Sequence, residues 1–122
     1  APVSYERAVK VLAAFDGVVE QATEQELANA AARADRAGLY ACPQTGVALA
    51  VLFKLIEQGD VRPEHRVVVI STALLATFTG FKVGYHERTQ PDVRARYANP
   101  PLDLPADVKA VREVIDREIG QG

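Results

Sequence analysis

Residues 39–59, LYACPQTGVALAVLFKLIEQG, decide the fold that the sequence predicts. A short apolar run ends at Cys42, and Pro43 and a long apolar segment follow. Proline suits the first helical position because its missing N–H has no helical partner there in any case. The stretch therefore predicts a strand, a sharp turn and a helix. Because the helix is apolar nearly all the way round, we expect protein to enclose it, and Gly59 supplies a left-handed cap.

The start of this helix is the first candidate binding site. The N–H groups of Gln44, Thr45 and Gly46 are predicted to point outward without helical partners, and such a helix N-terminus attracts anions. One hypothesis is therefore a stand-alone α/β module that binds a phosphate-bearing or other small metabolite at this position.

Two more strands are predicted, at residues 17–22 and 66–71. The second, RVVVIS, is apolar without interruption between its ends, which is typical of a parallel sheet that is buried on both faces. Short links between strands and helices indicate two successive right-handed crossovers. The sequence therefore predicts an α/β fold, a small three-layer unit with about three parallel strands.

Helix caps and apolar spacing predict the remaining elements. Ser4 is expected to cap a helix over residues 5–15, and a capping box of Thr23 and Glu26 is expected to start a second helix that stops at Gly38.

The carboxyl-terminal part of the chain is predicted to contain a tail and one helix. Residues 87–104 are polar and contain prolines, so we expect an extended tail. The apolar spacing of residues 105–119 predicts a final helix. The whole chain, residues 1–122, is predicted to be a single α/β unit.

Composition and charge narrow the classes of function. The chain has 122 residues, a net charge of −2 and one cysteine, and it contains no methionine. Basic residues form no stripe and no apolar run matches a membrane span, so we expect neither nucleic acid nor membrane as a partner. A single cysteine fits a reducing compartment, and we expect a cytoplasmic location without a signal peptide. Ala1 is either a processed start or a cut inside a longer protein.

Polar residues at the carboxyl ends of two predicted strands form the main candidate site. Cys42 ends one strand, and Ser71 and Thr72 end the other. Ligands bind at this edge of open parallel sheets, so we expect these side chains to line one crevice for a small anionic or heterocyclic ligand. The alternative is that Cys42 is a small core residue and that the two hydroxyls merely end a strand.

Other polar residues give weaker predictions. His65 precedes a predicted strand and is expected to be an exposed loop residue. His86 lies in the tail with no second ligand near it in sequence, so no metal site is predicted. Five carboxylates are predicted to lie on solvated helix faces: Glu24, Glu26, Asp35, Glu113 and Glu118.

Two sequence blocks, CPQTGVAL at residues 42–49 and VVVISTA at residues 67–73, closely resemble threonine synthase, a pyridoxal-phosphate enzyme of the tryptophan-synthase-like fold. The resemblance runs along the whole chain, for example at FKVGYHE and RYANPP. It implies the carboxyl-terminal third of the family's longer members, within a fold type II large domain. That family converts O-phosphohomoserine and water to threonine and phosphate in threonine biosynthesis, a lyase reaction with the cofactor as electron sink.

The resemblance also implies roles for the candidate residues. Thr72 occupies the position whose hydroxyl contacts the pyridine nitrogen of the cofactor, Ser71 flanks it, and Cys42 lies near the ring. The sequence departs from the family where Leu74-Leu75-Ala76-Thr77 replaces a polar, glycine-bearing loop.

The family's aldimine lysine and glycine-rich phosphate loop match no part of this sequence. Four lysines lie outside any matching motif: Lys10, Lys54, Lys82 and Lys109. We therefore expect no catalytic residue in the chain and no pyridoxal phosphate bound by the chain alone. The leading hypothesis is a segment that supplies the pyridine-nitrogen side of the cofactor site, with the amino-terminal part of the parent enzyme, or a second copy in a homodimer, as partner. A third hypothesis is a structural, oligomerising or engineered fragment.

Overall fold

The described part of the chain is helical. The structure is a computed structural model that describes residues 3–73 and 78–120. These two ranges contain five helices: α1 (Tyr5–Ala14), α2 (Glu24–Arg36), α3 (Pro43–Gln58), α4 (Thr79–His86) and α5 (Val108–Ile119). The same ranges contain no β-strand, and a single bridge position is found at Ala41.

The predicted α/β fold with three parallel strands is wrong. Residues 17–22, 39–42 and 66–71 form no sheet within the part of the chain that the structure describes. A continuous apolar run indicates that a segment is buried. A β-strand also needs a neighbouring strand to form hydrogen bonds with, and the local sequence does not specify that neighbour. Val68 and Ile70 are 89% and 75% exposed. The apolar run at residues 66–71, which predicted a strand buried on both faces, is therefore not buried in this structure.

Helix α3 begins and ends where the sequence predicts. Cys42 is its N-cap, Pro43 occupies the first helical position, and Gly59 follows it with a φ of 85°. The prediction that protein encloses the helix is wrong, however, because Ile56 and residues 57–58 are exposed. The fully buried residues of α3 all lie in its first half: Thr45, Gly46 and Ala50.

The capping box of α2 is confirmed. The Thr23 hydroxyl accepts a hydrogen bond from the Glu26 N–H, and the Glu26 carboxylate accepts one from the Thr23 N–H at 2.7 Å. The predicted cap of α1 is wrong, because the side chain of Ser4 makes no capping hydrogen bond.

Helices α2 and α3 pack closely against each other at the first turn of α3. The facing side of α2 is built largely from alanines, of which Ala31 is completely buried. A Cβ at Gly46 would lie 2.7 Å from the carbonyl oxygen of Leu27 and 3.1 Å from the Cβ of Ala31. The two helices can approach this closely because position 46 has no side chain.

Tyr85 joins α4 and the tail to this helix pair. Its ring is 1% exposed, and its hydroxyl donates to Asn29 Oδ1 at 2.7 Å and accepts from the Tyr97 N–H at 3.2 Å. Burial raises the pKa of this hydroxyl. The Gln25 side chain also binds the tail, because its amide pairs with both the N–H and the carbonyl of Arg94. The sequence analysis assigned no helix to the α4 segment.

Helices α1 and α5 lie at the periphery and contribute no fully buried residue. Asp107 caps α5 by accepting a hydrogen bond from the Ala110 N–H at 2.9 Å, so the helix begins at Val108, a little later than expected. Its apolar side chains are exposed: Val108, Val111, Ile115 and Ile119. None of the helices in the described ranges has the length and apolar character needed to cross a membrane.

Candidate functional site

Two segments of the chain meet at the N-terminus of α3. Cys42 Sγ lies 3.2 Å from Thr45 Oγ1, and Thr45 Oγ1 lies 3.1 Å from Ser71 Oγ. The Thr72 side chain and the Ala73 backbone also lie close enough to the sulfur to lower the pKa of the Cys42 thiol. The structure therefore brings together the three residues that the sequence singled out, although no sheet positions them. The group formed by Cys42, Thr45, Ser71 and Thr72 is termed the Cys42 cluster below.

The sulfur at the centre of the Cys42 cluster is buried and surrounded by donors. Burial raises the pKa of the Cys42 thiol, but hydrogen bonds from the side chain and N–H of Thr45, the Ala73 N–H and the Thr72 hydroxyl outweigh this effect. Together they lower the pKa from 9.0 to about 7. Cys42 has no exposed surface, so its sulfur organises the neighbouring hydroxyls and is not an accessible nucleophile.

Two of the three N–H groups at the predicted anion site already donate hydrogen bonds within the protein. The Thr45 N–H donates to Cys42 Sγ at 3.4 Å, and the Gly46 N–H donates to the Cys42 carbonyl at 2.9 Å. Both residues are buried, and only Gln44 of the three is exposed. The prediction that all three N–H groups point outward is therefore wrong. This removes most of the basis for a stand-alone phosphate-binding module.

Ser71 and Thr72 form the exposed side of the Cys42 cluster. A hydroxyl can donate to an aromatic ring nitrogen, so this side suits the pyridine-nitrogen end of pyridoxal phosphate. No lysine or arginine contributes to the hydrogen bonds of the cluster among the described residues. The donor set therefore fits the neutral end of the cofactor and not its phosphate. The apolar replacement at residues 74–77 lies outside the described residues.

The lysines of the described helices α3, α4 and α5 either form ion pairs with other residues or are exposed. Lys54 Nζ lies 2.9 Å from Glu26 Oε2 and donates to the Gln21 carbonyl. Lys82 forms a buried ion pair, and the side chain of Lys109 is 85% exposed on α5. Each of these three lysines thus lies outside the Cys42 cluster.

Sequence analysis missed a buried ionic group between α2 and α4. Asp35 Oδ2 lies 2.5 Å from Lys82 Nζ and 3.6 Å from His86 Nε2, and the three side chains are 7–14% exposed. The prediction that Asp35 lies on a solvated helix face is therefore wrong. Lys82 and His86 are one helical turn apart, which could have revealed the group had α4 been predicted. Across residues 3–73 and 78–120, no three His, Cys, Asp or Glu residues are arranged to hold a metal ion.

Comparison with known proteins relates this chain to threonine synthases. Over 114 residues, 93% of the chain, it is 44% identical to threonine synthase 2, chloroplastic, of Arabidopsis thaliana. Over 115 residues it is 24% identical to threonine synthase of Methanocaldococcus jannaschii. The chain spans 22% and 25% of the length of these two proteins, and no family model matches it. The similarity supports a threonine synthase-like segment.

Proposed function

We propose that this chain is the carboxyl-terminal segment of a threonine synthase-like enzyme and supplies the pyridine-nitrogen side of its cofactor site. The complete enzyme would convert O-phosphohomoserine and water to threonine and phosphate with pyridoxal phosphate. One observation carries the proposal: at the N-terminus of α3 the Ser71 hydroxyl is linked to the Cys42 thiol through the Thr45 hydroxyl, and the Thr72 hydroxyl lies beside the same thiol. The identity to the plant enzyme supports the choice of family.

The Cys42 cluster can direct the hydroxyl hydrogen of Thr72. When bound, pyridoxal phosphate supplies an electron sink for reactions at an amino-acid substrate. A protonated Cys42 thiol can donate to the Thr72 oxygen, which leaves the Thr72 hydrogen free to point to the ring nitrogen. A thiolate instead accepts that hydrogen and turns it inward. Because a hydroxyl is a neutral donor, the Thr72 side chain would favour the unprotonated form of a ring nitrogen that it contacts.

Thr45 and Ser71 extend the same hydrogen-bond chain. The two hydroxyls are 3.1 Å apart, and Thr45 is held by the first turn of α3, where it is 1% exposed. Ser71 is thereby tied to the first turn of α3, and Thr72 follows it directly in the chain. The role of this chain is thus to bind and orient one end of the ring.

The partner that we propose is the amino-terminal part of the parent enzyme. Large apolar side chains are exposed in several parts of the described structure, among them Phe15 at 80%, Val68 at 89% and Ile119 at 74%. Soluble monomers rarely leave extensive apolar surface uncovered, and such surface marks sites of protein contact. A homodimer remains the alternative partner, and a cytoplasmic location is part of the same proposal.

Fragment complementation tests the proposed function. The plant relative, shortened by the segment that matches this chain, is mixed with the 122-residue chain. Binding of pyridoxal phosphate is followed by its absorbance, and phosphate release from O-phosphohomoserine is measured. We expect the mixture to bind cofactor and to turn over substrate, and we expect the chain alone to do neither.

Thr72→Val gives the residue-level test in the same mixture. Loss of one hydrogen bond to the ring should weaken cofactor binding about tenfold. Thr89→Val is the matched control, because the exposed Thr89 hydroxyl donates to the Gly84 carbonyl on the surface of α4. An assembled mixture that binds no cofactor, or in which Thr72→Val binds it as tightly as the unchanged chain does, would refute the pyridine-side role.

A further inference from the structure

The carboxylate of Asp35 connects segments that are far apart in sequence. Its Oδ2 lies 2.5 Å from Lys82 Nζ and 3.6 Å from His86 Nε2, both on α4. Its Oδ1 accepts a hydrogen bond from the Ala41 N–H at 3.3 Å. His86 Nδ1 in turn accepts the Asn99 N–H of the tail at 3.0 Å. One buried carboxylate therefore links α4 and the tail to the residue directly before Cys42.

Asp35 is placed where a negative charge is unfavourable without partners. It lies in the last turn of α2, next to the negative end of the helix dipole, and its side chain is 10% exposed. Lys82 is 7% exposed, so both charges lose their hydration on folding. A buried ion pair of this kind contributes little net stability, because desolvation offsets the attraction. Its effect on structure is to fix the positions of the Asp35 and Lys82 side chains relative to each other.

Ala41 transmits the position of Asp35 to the Cys42 cluster. Ala41 and Cys42 have no exposed surface, and Cys42 caps α3 through the Thr45 N–H. The two-residue segment of Ala41 and Cys42 is thus held at the Ala41 N–H by the Asp35 oxygen and at the Cys42 side chain by the first turn of α3. A shift at the Asp35 end would change the distances from Cys42 Sγ to its donors.

We propose that Asp35 is a positioning residue for the Cys42 cluster, with Oδ1 holding the Ala41 N–H in place. The Cys42 cluster is thereby coupled to the last turn of α2. This inference rests on the proposed function only for the role of the Cys42 cluster. The coupling itself is a property of the 122-residue chain and is measured without cofactor.

Two double variants of the 122-residue chain distinguish the effect of the Asp35 oxygen on the position of Ala41 from the effect of the charges of the ion pair. Asp35→Ala/Lys82→Met and Asp35→Asn/Lys82→Met both remove the ion pair, but only asparagine retains an oxygen for the Ala41 N–H. The chain has one cysteine, so the 13Cβ shift of Cys42 reports its titration directly by NMR. We expect the alanine variant to raise the pKa of Cys42 by about one pH unit, because its donors are lost. The asparagine variant should leave this pKa unchanged.

Hydrogen exchange and a milder variant complete the test. Exchange of the Ala41 amide should be faster in the alanine variant and unchanged in the asparagine variant. If the alanine variant does not fold, Asp35→Glu keeps the charge but displaces the oxygen, and it should shift the Cys42 titration in the same direction. Equal loss of melting temperature in both double variants, with an unmoved Cys42 titration, would overturn the positioning role. Failure of the proposed function would instead appear as absent cofactor binding in the complementation mixture, with these shifts intact.

Discussion

Replacing Gly46 with alanine tests the close approach of α2 and α3. The new Cβ would lie 2.7 Å from the Leu27 carbonyl oxygen and 3.1 Å from the Ala31 Cβ, whereas ordinary contact begins at 3.4 Å. The Leu27 oxygen belongs to the backbone of α2, so it cannot rotate away as a flexible side chain would. The substitution therefore forces the two helices apart at the first turn of α3.

Two opposing effects set the size of the change in stability. Glycine to alanine inside a helix ordinarily stabilises by about 0.5 to 1 kcal/mol, because alanine loses less backbone freedom on folding. Overpacking a tight contact costs about 1 to 3 kcal/mol. We therefore expect Gly46→Ala to lower the free energy of unfolding by about 0.5 to 2 kcal/mol. For a chain of this length, each kcal/mol corresponds to about 3 to 6 °C in melting temperature.

Urea and thermal melts followed by circular dichroism measure this change against a matched control. Gly80 also lies in a helix, but a Cβ there would meet no atom of the described residues within 4 Å. Gly80→Ala should be neutral or stabilise the chain by up to about 1 kcal/mol. The two substitutions are thus expected to differ in sign. Equal stabilisation by both would refute the close contact between Leu27 and position 46.

Two further predictions concern Tyr85 and Cys42. Tyr85→Phe keeps the buried ring but leaves Asn29 Oδ1 and the Tyr97 N–H without their hydrogen-bond partner. Urea melts should therefore show that the free energy of unfolding falls by about 1 to 3 kcal/mol. The control Tyr40→Phe, at an exposed position, should change it little. The lowered pKa of Cys42 means that the folded chain releases the thiol proton near pH 7 and the unfolded chain near pH 9, so the unfolded state binds more protons in between. Stability relative to a Cys42→Ser variant should therefore rise from about pH 7 to pH 9, by less than about 1.4 kcal/mol per pH unit. A flat difference over this range would contradict the lowered pKa.

Local signals in the sequence were sufficient for several helix boundaries. The capping box at Thr23, the proline after Cys42 and the left-handed Gly59 each depend on contacts within about one helical turn. Ser4 shows the limit of such signals. Its φ of −102° and ψ of 10° are not the extended conformation of an N-cap, so its hydroxyl does not reach the free N–H groups of α1.

Non-local contacts explain what the sequence analysis got wrong. The apolar run at residues 66–71 indicated burial, but burial depends on which other polypeptide lies against it. The Asp35–Lys82 pair spans 47 positions, and in the sequence Asp35 resembles the other charges of an alanine-rich helix. The Cys42 cluster could be predicted because the polar residues at positions 42 and 71–72 each end an apolar segment. Cys42 and Ser71 lie close together even without a sheet, because the Thr45 hydroxyl contacts both side chains.

The distribution of apolar side chains indicates where the stability of this segment comes from. Its fully buried residues are mostly alanines, which release little apolar area, whereas Phe15, Val68 and Ile70 are at least 75% exposed. Burying one such side chain contributes about 1.5 to 3 kcal/mol. Burying several of them would therefore contribute a free energy comparable to the total free energy of unfolding of a typical domain, about 5 to 15 kcal/mol. The proposed amino-terminal partner would therefore add substantially to the stability of the chain if it covered these surfaces. With that support, the internal contacts at Gly46 and Asp35 would serve chiefly to fix the geometry of the Cys42 cluster.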